Sequence, residues 1–266
     1  MIPLERQRQI LRVLQERGTA SVSELRDLLA VSHMTVRRDI AALEELGRVV
    51  SVSGGVSLPQ RLVLDDPHTT KELIHPDEKA AAAERAAQLV EEGDLVLLDA
   101  GTTTLALARA LAHRSDLAFV TNDLAIATFL SEHAQGRDLY LAGGRVDRAN
   151  LSTEGVQVAE AIAGFNIDIA FLSTSSFDLR GLSVPTEAKK VVKRAALDHS
   201  DRSVLLTDSS KYGRVAALRA AGLVELDAIV TDTALAQSAQ DGIAQLDVEL
   251  ILVDVAEHQR TRKVHP

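Results

Sequence analysis

The most constraining feature of this 266-residue chain is a regular alternation of short apolar runs with helical patterns over its last two-thirds. Seven such runs occur, at positions 95–98, 117–120, 139–141, 167–172, 204–206, 228–230 and 248–253. Apolar residues at helical spacing separate most of them, for example over 105–111, 124–133 and 188–197. This alternation predicts an α/β domain whose parallel or mostly parallel sheet is covered by helices. Ligands of such sheets bind at the carboxyl ends of the strands, so functional groups are expected there.

Polar residues collect directly after four of the predicted strands. The first loop, Asp99-Ala100-Gly101-Thr102-Thr103-Thr104, lies between a strand and a helix, so its N–H and hydroxyl groups converge on a helix N-terminus. That arrangement suits an anion, most simply a phosphate. The other loops carry Thr121, Asn122 and Asp123, then Gly143, Gly144 and Arg145, then Asp208, Ser209, Ser210 and Lys211. Hydroxyls, amides, a lysine and carboxylates together favour a polyol phosphate over an apolar ligand.

Each of these loops also has a purely structural interpretation. The D-A-G-T-T-T loop alone could be a helix cap, Gly143-Gly144 alone a turn, and Lys211 alone a solvated surface lysine. Their coincidence at corresponding strand ends favours one shared pocket over three unrelated surface features.

The first sixty residues have the apolar spacing of three short helices. Gly18 ends the first helix, and Ser21 with Glu24 forms a capping box at the start of the second. Ser32 can cap the third helix. The apolar stripe that must face the core from this third helix consists of Val36, Ile40 and Leu43.

The exposed face of the third helix is suited to a DNA major groove. At 100° per residue, the side opposite the core stripe and its flanks consist of His33, Met34, Thr35, Arg37, Arg38 and Ala41. The arginines can reach base edges or phosphates, and the small Ala41 permits a close backbone approach. The stretch "GRVVSVSGGVSL" then predicts a β-hairpin turning at 53–55. Three helices and a hairpin predict a winged helix-turn-helix, although Arg37-Arg38 alone could be a solvated surface pair.

The distribution of charge limits where nucleic acid can bind. The chain has a net charge of −9, but residues 1–58 carry +1 and the remainder carries −10. This balance excludes a protein that coats nucleic acid over its whole surface and leaves room for a localised contact. Because a segment of charge +1 is a weak electrostatic binder, we expect a homodimer or homotetramer that reads repeated half-sites.

The composition excludes several other classes of protein. The absence of cysteine excludes disulfides, thiolate catalysis and cysteine-based zinc sites, and the eight histidines lack metal-ligand spacing, so neither a metal nor a cofactor is expected. Aromatic residues make up 3% of the chain, which disfavours base stacking on single-stranded RNA. No apolar run approaches the ~20 residues of a membrane span and the N-terminus is too charged for a signal peptide, so we expect a cytoplasmic protein.

The chain resembles DeoR-type bacterial transcriptional regulators in both halves. Residues 3–58 are similar to the N-terminal domain of that family, with "VSHMTVRRD" at the position of its recognition helix, and depart from it at Ser53, where the family usually has histidine. From about Lys79 to Asp232 the chain resembles the family's sensor domain, through "DAGTTT", "VTND", "LAGG", "PTEA" followed by Lys193, and "DSSKYG". The resemblance implies binding of a sugar phosphate or related metabolite, and a sensor fold similar to ribose-5-phosphate isomerases and CoA transferases.

These observations predict a winged helix-turn-helix over residues 1–57, a linker over 58–76 and an α/β effector-sensing domain over 77–266. We expect a regulator, a repressor of carbohydrate-metabolism genes, that binds double-stranded operator DNA and a phosphorylated sugar-like effector. The predicted DNA contacts are Ser32, His33, Met34, Thr35, Arg37, Arg38 and Arg48. The predicted effector contacts are Asp99, Gly101, Thr102, Thr103, Thr104, Asn122, Asp123, Gly143, Gly144, Glu187 and Lys211.

An alternative hypothesis is a sugar-phosphate isomerase with an added DNA-binding domain. Isomerisation through an enediol needs a carboxylate base near the carbonyl-bearing carbons. Related isomerases carry an acid-rich D-G-A-D-E segment, whereas the equivalent place here reads "STSSFD" over 173–178, in which hydroxyls largely replace the acids. The carboxylates that remain available are Glu187, Asp99, Asp123 and Asp208. Binding without turnover is therefore the favoured prediction.

Overall fold

The computed structural model describes residues 2–52, 54–134 and 138–264, and for 261–264 it describes the backbone alone. Three helices and three short strands build the N-terminal domain around one apolar core. In chain order these are α1 (Pro3–Arg17), β1 (Thr19–Ala20), α2 (Val22–Leu29), α3 (His33–Glu45), β2 (Val50–Val52) and β3 (Gly55–Ser57). The helices match the three that the apolar spacing predicts.

The ends of α2 and α3 confirm the predicted caps. Ser21 Oγ accepts the Glu24 N–H at 3.1 Å, and Glu24 accepts the Ser21 N–H at 2.7 Å, which completes the capping box. Ser32 Oγ accepts the Thr35 N–H at 3.1 Å and so begins α3. The predicted core stripe of Val36, Ile40 and Leu43 is buried. The cap thus fixes where α3 begins, and the buried stripe fixes which face of α3 is left exposed.

The predicted wing is present as the antiparallel pair β2 and β3. Ser53, which belongs to the predicted turn, lies outside the described residues. Strand β1 pairs with β3 as an additional edge strand, which gives the order β1-β3-β2. The sequence did not predict β1, because a strand of two residues is too short to show an alternating pattern.

Residues 58–76, predicted as a linker without regular structure, contain two short elements. Strand β4 (Gln60–Arg61) pairs in parallel with β14 (Arg214–Val215), and α4 (His68–Leu73) follows after an exposed bend. A two-residue strand and a six-residue helix are too short to show periodicity, and contacts with the C-terminal domain hold them instead. The segment is thus laid against the C-terminal domain.

A parallel sheet forms the centre of the C-terminal domain. Its strands are β5 (Leu95–Leu98), β6 (Ala118–Thr121), β7 (Leu139–Leu141), β10 (Ile167–Leu172), β13 (Ser200–Leu206), β16 (Ala228–Asp232) and β17 (Glu249–Val253). They are ordered β17-β16-β13-β10-β5-β6-β7, and every neighbouring pair is parallel. Each predicted apolar run falls on one of these strands, which confirms the predicted sheet.

Helices cover both faces of the sheet. They are α5 (Pro76–Ala87), α6 (Thr102–Leu111), α7 (Leu124–His133), α8 (Val156–Ile162), α9 (Glu187–Asp198), α10 (Gln237–Ile243) and α11 (Val255–Val264). Smaller strands lie outside the main sheet, namely β8 (Arg145–Asp147), β9 (Ser152–Glu154), β11 (Phe177–Asp178), β12 (Gly181–Val184) and β15 (Leu218–Ala221). Two apolar clusters, one on each face, bury the central strands on both sides, which is why these strands read as continuous apolar runs. In the edge strand β7, Tyr140 and Leu141 are 42% and 46% exposed. Within the described residues, no helix combines the length and apolarity that crossing a membrane requires.

Candidate functional site

A cavity opens at the carboxyl ends of β5, β6, β10 and β13. The loops that follow these strands form one wall, and the other walls come from the connecting segment (58–76), α5, β9, β12 and α9. Its charged lining consists of five lysines and three carboxylates, namely Lys71, Lys79, Lys189, Lys193, Lys211, Asp65, Asp99 and Glu154. The excess of lysines makes the cavity attractive to an anion.

The loop after β5 turns directly into the N-terminus of α6. A Cβ atom at Gly101 would lie 2.4 Å from Ser173 Oγ, so only glycine lets this loop pack against the loop after β10. Thr102 and Thr103 line the cavity in the first turn of α6, where N–H groups lack partners within the helix and favour negative charge. Thr104 instead holds the loop, because its hydroxyl donates to the Asp99 and Gly101 carbonyls at 2.6 and 2.8 Å.

The loop after β6 supports the loop after β5. Asn122 Oδ1 accepts the Ala100 N–H and Asp123 Oδ2 accepts the Gly101 N–H, both at 3.0 Å. The other Asp123 oxygen caps α7 by accepting the Ala125 N–H at 2.7 Å. Burial raises the pKa of Asp123 to about 6 despite these bonds. The N–H groups of Ala100 and Gly101 are therefore engaged, which leaves the first turn of α6 to an anion.

Two lysines of the cavity, Lys193 and Lys211, face aspartates of the loops at the strand ends. Lys193 Nζ donates to Asp99 Oδ2 and to the Ser173 carbonyl, both at 2.5 Å, and the Asp99 carboxylate also accepts the Ser173 N–H. Lys211 Nζ lies 3.8 Å from Asp208 Oδ2. The negative charge of Asp99 would repel a phosphate, and Lys193 on α9 neutralises it.

Lys79 is the cavity lysine held mainly by backbone groups. Its ammonium donates to the Ile74 carbonyl at 2.5 Å and to the Lys71 carbonyl. Burial lowers the pKa of Lys79 to about 8, the neighbouring Lys211 and Lys71 act in the same direction, and Asp208 opposes them. An anion in the cavity would stabilise the charged form of this amine.

The connecting segment contributes a further wall. Lys71 Nζ donates to Asn150 Oδ1 at 2.5 Å and to Asp65 Oδ2 at 3.1 Å, and the His68 N–H donates to the Ala149 carbonyl at 2.8 Å. These contacts hold α4 against the region between β8 and β9. The segment that leads from the wing thus becomes part of the cavity.

Two buried polar atoms of the lining have no hydrogen-bond partner in the described part of the chain. They are His68 Nε2 and Glu154 Oε2, in side chains of residues that are 3% and 5% exposed. The other Glu154 oxygen pairs with Arg145. A buried polar atom without a partner is costly, so both atoms are suited to a polar ligand such as a hydroxyl-bearing one.

The structure brings some of the predicted effector contacts together and separates others. Those that line the cavity are Asp99, Gly101, Thr102, Thr103, Asn122 and Lys211. Thr104 and Asp123 lie behind the loops and hold them in place. Gly143, Gly144 and Glu187 lie outside the lining: the glycines are exposed, with Gly144 against Val158, and the Glu187 side chain is 65% exposed beside Lys190. The glycines follow β7 at the edge of the main sheet, whereas Glu187 follows β12, which belongs to a separate sheet.

Sequence reasoning missed several lining residues. The main ones are Asp65, His68, Lys71, Lys79, Asn150, Glu154, Ser173, Lys189 and Lys193. Three of these lie in the segment taken as a linker, and Lys79 lies in an alanine-rich helix that gives no sign of its burial. Lys189 and Lys193 do carry a signal, because they stand one turn apart at the start of a helix that follows a strand.

Helix α3 presents the predicted DNA-contacting residues on its outside. His33, Met34, Arg37, Arg38 and Arg48 are exposed, and the Thr35 hydroxyl bonds to Ser32 at 2.9 Å. Arg6 of α1 pairs with the buried Asp39 at 2.6 Å and so fixes α3 from behind. Arg37 and Ala41 border a cleft between the two domains, whereas Arg38 and Met34 do not line it.

A direct contact joins α3 to the loop that carries Lys211. The Tyr212 hydroxyl donates to Glu44 Oε1 at 2.9 Å, and Glu44 also accepts the Ser51 N–H and hydroxyl. Burial and the nearby Glu44 raise the pKa of Tyr212, so the phenol stays protonated and remains the donor. Lys211, which lines the cavity, is therefore followed directly by Tyr212, which contacts Glu44 of α3.

The carboxylates considered for isomerase chemistry have other partners. Asp99 is paired with Lys193, Asp123 caps α7, and Asp208 accepts the Ser210 N–H at 3.1 Å. Across the ranges that the structure describes, no group of three or more histidine and acidic side chains is arranged to hold a metal ion.

A winged helix-turn-helix joined to an α/β domain with a polar cavity defines the class of ligand-responsive transcriptional regulators. Residues 6–61 match the model of the DeoR-like helix-turn-helix domain, and residues 74–233 match the model of the DeoR C-terminal sensor domain. The chain belongs to the DeoR family of DNA-binding transcriptional regulators.

Relatives extend over nearly the whole chain. An HTH-type transcriptional regulator of Haemophilus influenzae is 44% identical over 253 residues, which cover 95% of this chain and 98% of that protein. The glycerol-3-phosphate regulon repressor of Escherichia coli is 31% identical over 229 residues, covering 86% and 90%. Among solved structures, a ribose 5-phosphate isomerase from Methanocaldococcus jannaschii aligns over 52% of this chain and 55% of its own, with 16% identity and a TM-score of 0.37, a similarity too low to support an argument about function.

Proposed function

We propose that this protein is a repressor whose affinity for operator DNA is set by a phosphorylated, sugar-like effector bound in the cavity of the C-terminal domain. The observation that carries the proposal is the lining of five lysines and three carboxylates at the ends of parallel strands, beside the N-terminus of α6. A phosphate monoester is a dianion near neutral pH and can compensate that excess of positive charge.

The two ends of the cavity suit two parts of such an effector. The phosphate would lie near the first turn of α6 and contact Thr102 and Thr103. Its charge would be balanced by the cavity lysines, among them Lys71, Lys79, Lys189 and Lys211. The unpartnered Glu154 Oε2 accepts from a ligand hydroxyl, and His68 Nε2 can bond to another. A polyol phosphate satisfies both requirements, whereas an apolar ligand would leave the buried polar atoms unpaired. Gly143, Gly144 and Glu187 are left out of this contact set.

Helix α3 would enter the major groove of the operator. Met34 and Arg38 are exposed on the outer face of the helix, and Ser32 and Thr35 lie at its start. Arg48 lies between α3 and the wing. The relatives support repression, since the protein from Escherichia coli is named as a regulon repressor. Carbohydrate-metabolism genes are the targets expected of a repressor with a sugar-phosphate effector.

The effector can change operator binding only if it binds two states of the protein with different affinity. We propose a homodimer or homotetramer in which the domains change their relative position, because one winged helix makes few phosphate contacts and repeated half-sites add affinity.

A two-stage experiment tests the proposal. Sugar phosphates and their unphosphorylated parents are first screened by thermal shift, since a ligand of the native state raises the unfolding temperature. Each hit is then added to a titration of operator DNA taken from the region upstream of the protein's own gene. We expect phosphorylated compounds alone to bind and to change operator affinity; hits that are apolar or unphosphorylated would contradict the proposed effector class.

A further inference from the structure

We propose that the Asp65 carboxylate is an internal counter-ion in the cavity, which the anionic group of the effector displaces, so that ligand binding frees the segment leading to the DNA-binding domain. The inference rests on the proposed function and adds a means by which the occupied cavity acts on the chain outside it.

Asp65 is held by three side chains of the cavity wall. Its Oδ2 accepts from Lys71 Nζ at 3.1 Å and from Lys189 Nζ at 3.0 Å, and its Oδ1 accepts from the Ser175 hydroxyl at 2.5 Å. The three partners come from α4, α9 and the loop after β10. A single carboxylate therefore joins the connecting segment to two elements of the sensor domain.

The electrostatics of Asp65 make it a stand-in for a ligand anion. Burial acts to raise its pKa, but Lys71, Lys189 and Ser175 outweigh burial and lower the pKa to about 2. The group is therefore ionised at every pH at which the protein works. An anion that reaches Lys71 or Lys189 while Asp65 stays in place would meet a like charge at short range, so the two compete for the same ammonium groups.

Asp65 holds the chain between two backbone anchors, the Leu62 N–H on the Val215 carbonyl at 2.9 Å and the His68 N–H on the Ala149 carbonyl at 2.8 Å. The residues on either side are exposed, including Val63 at 78% and Leu64 at 81%. Upstream, β3 ends at Ser57 and the Gln60 N–H bonds to the Gly213 carbonyl, next to Tyr212. Loss of the Asp65 contacts would thus loosen the path between the wing and α4, at a point adjacent to the contact between Tyr212 and α3.

The first test is calorimetric titration of the full-length protein with inorganic phosphate at pH 8, in a buffer free of other polyvalent anions. The variants are Asp65→Asn and, as a matched control, Asp66→Asn, which removes the same charge from the exposed neighbouring residue. If phosphate competes with Asp65, the Asp65→Asn variant binds phosphate about fivefold or more tightly than wild type, because two lysines are no longer occupied. The Asp66→Asn variant keeps the wild-type affinity.

Each contrary result has a distinct meaning. Equal or weaker phosphate binding by Asp65→Asn would overturn the displacement inference and leave the proposed function intact, since wild type still binds the anion. Failure of wild type and both variants to bind phosphate would overturn the proposed anion site and this inference with it.

Amide hydrogen exchange over residues 60–67 provides a readout that a general charge effect would not move. We expect saturating phosphate to speed exchange in wild type and in Asp66→Asn, and we expect Asp65→Asn to exchange fast already without phosphate. Slower exchange on adding phosphate would mean that the ligand tightens the segment, which contradicts displacement. The comparison without ligand tests the role of Asp65 even if phosphate binds weakly.

Discussion

At the scale of single residues, the cavity depends on lysines that the fold buries. Lys79, Lys193 and Lys211 are each less than a tenth exposed. Buried ammonium groups are stable only with partners, and here the partners are backbone carbonyls and aspartates of neighbouring loops. This arrangement keeps positive charge in the cavity, where the proposed anionic effector would bind.

Binding of inorganic phosphate should weaken as the pH rises above neutrality. Burial lowers the pKa of Lys79 to about 8, so most of its ammonium loses the proton between about pH 7.5 and 9, a range in which inorganic phosphate is mostly the dianion. If the charged amine is needed, the dissociation constant measured by calorimetry should rise about tenfold over that range. A Lys79→Met variant should bind more weakly at pH 7 and show a flatter pH profile. An unchanged profile in that variant would assign the titration to another group.

Lys211→Ala should reduce the response to effector without a matching loss of operator affinity. The side chain lines the cavity and does not belong to the N-terminal domain. We expect the effect of a sugar phosphate on operator binding to fall severalfold, while operator affinity without ligand changes by less than about 0.5 kcal/mol. Lys190→Ala, on the exposed side of α9, is the matched control. Lost operator binding by Lys211→Ala alone would contradict this separation of roles.

Among the helices and strands, α3 is the element whose orientation most affects the proposed contact with operator DNA. Ser32 begins it, Val36 and Ile40 pack its inner face, and Asp39 ties it to α1. The same helix borders the cleft between the domains through Arg37 and Ala41 and reaches the sensor domain through Glu44. It therefore has one face in the core, one that borders the sensor domain and an exposed one that we propose contacts DNA.

Arg38→Ala should weaken operator binding more than Arg37→Ala. Arg38 lies on the side away from the cleft, where a base edge can be reached, and loss of such a contact costs about 1–3 kcal/mol and relaxes specificity at one position. Arg37→Ala should cost less and reduce the salt dependence of binding, as expected for a phosphate contact. Fluorescence anisotropy over a salt series measures both. Arg202→Ala, in the sensor domain, is the control; the opposite order of losses would assign the base contact to Arg37.

The elements also show how far the sequence allows prediction. The strands were predictable because each contains a short apolar run, most of them buried between two layers of helices, and α2 and α3 because Ser21 and Ser32 are strong caps. The loops at the ends of β5 and β6 could be identified as parts of a site because polar residues directly follow these predictable strands. Strand β4 and helix α4 could not, since they are too short for a period and owe their structure to tertiary contacts such as Lys71 with Asn150. Whether the Glu187 side chain faces the cavity or solvent depends on the direction in which α9 leaves its loop, which sequence spacing does not encode.

At the scale of the whole molecule, the cavity and α3 are connected by a short path. Lys211 lines the cavity, Tyr212 follows it, and the Tyr212 hydroxyl bonds to Glu44 of α3. Gly213 continues the contact, because a Cβ atom there would lie 2.4 Å from a methyl group of Val50 on the wing. The connecting segment joins the same place through β4 and β14.

Tyr212→Phe should uncouple effector binding from operator binding. The ring can keep its edge-to-face contact with Phe177, whereas the hydrogen bond to Glu44 is lost. We expect calorimetry to give an effector affinity close to that of wild type, and the effector-induced change in operator affinity to shrink severalfold. Tyr140→Phe, at the half-exposed tyrosine of β7, is the matched control. A full response in Tyr212→Phe would show that coupling takes another path.

We propose above all that an anion bound at the strand ends changes operator affinity. This can be tested by the dissociation constant of full-length protein for its operator, measured with and without a saturating sugar phosphate that stabilises the protein. We expect a change of about fivefold or more in wild type and little change in Lys211→Ala. An effector that binds in the cavity yet leaves operator affinity unchanged in wild type would contradict it.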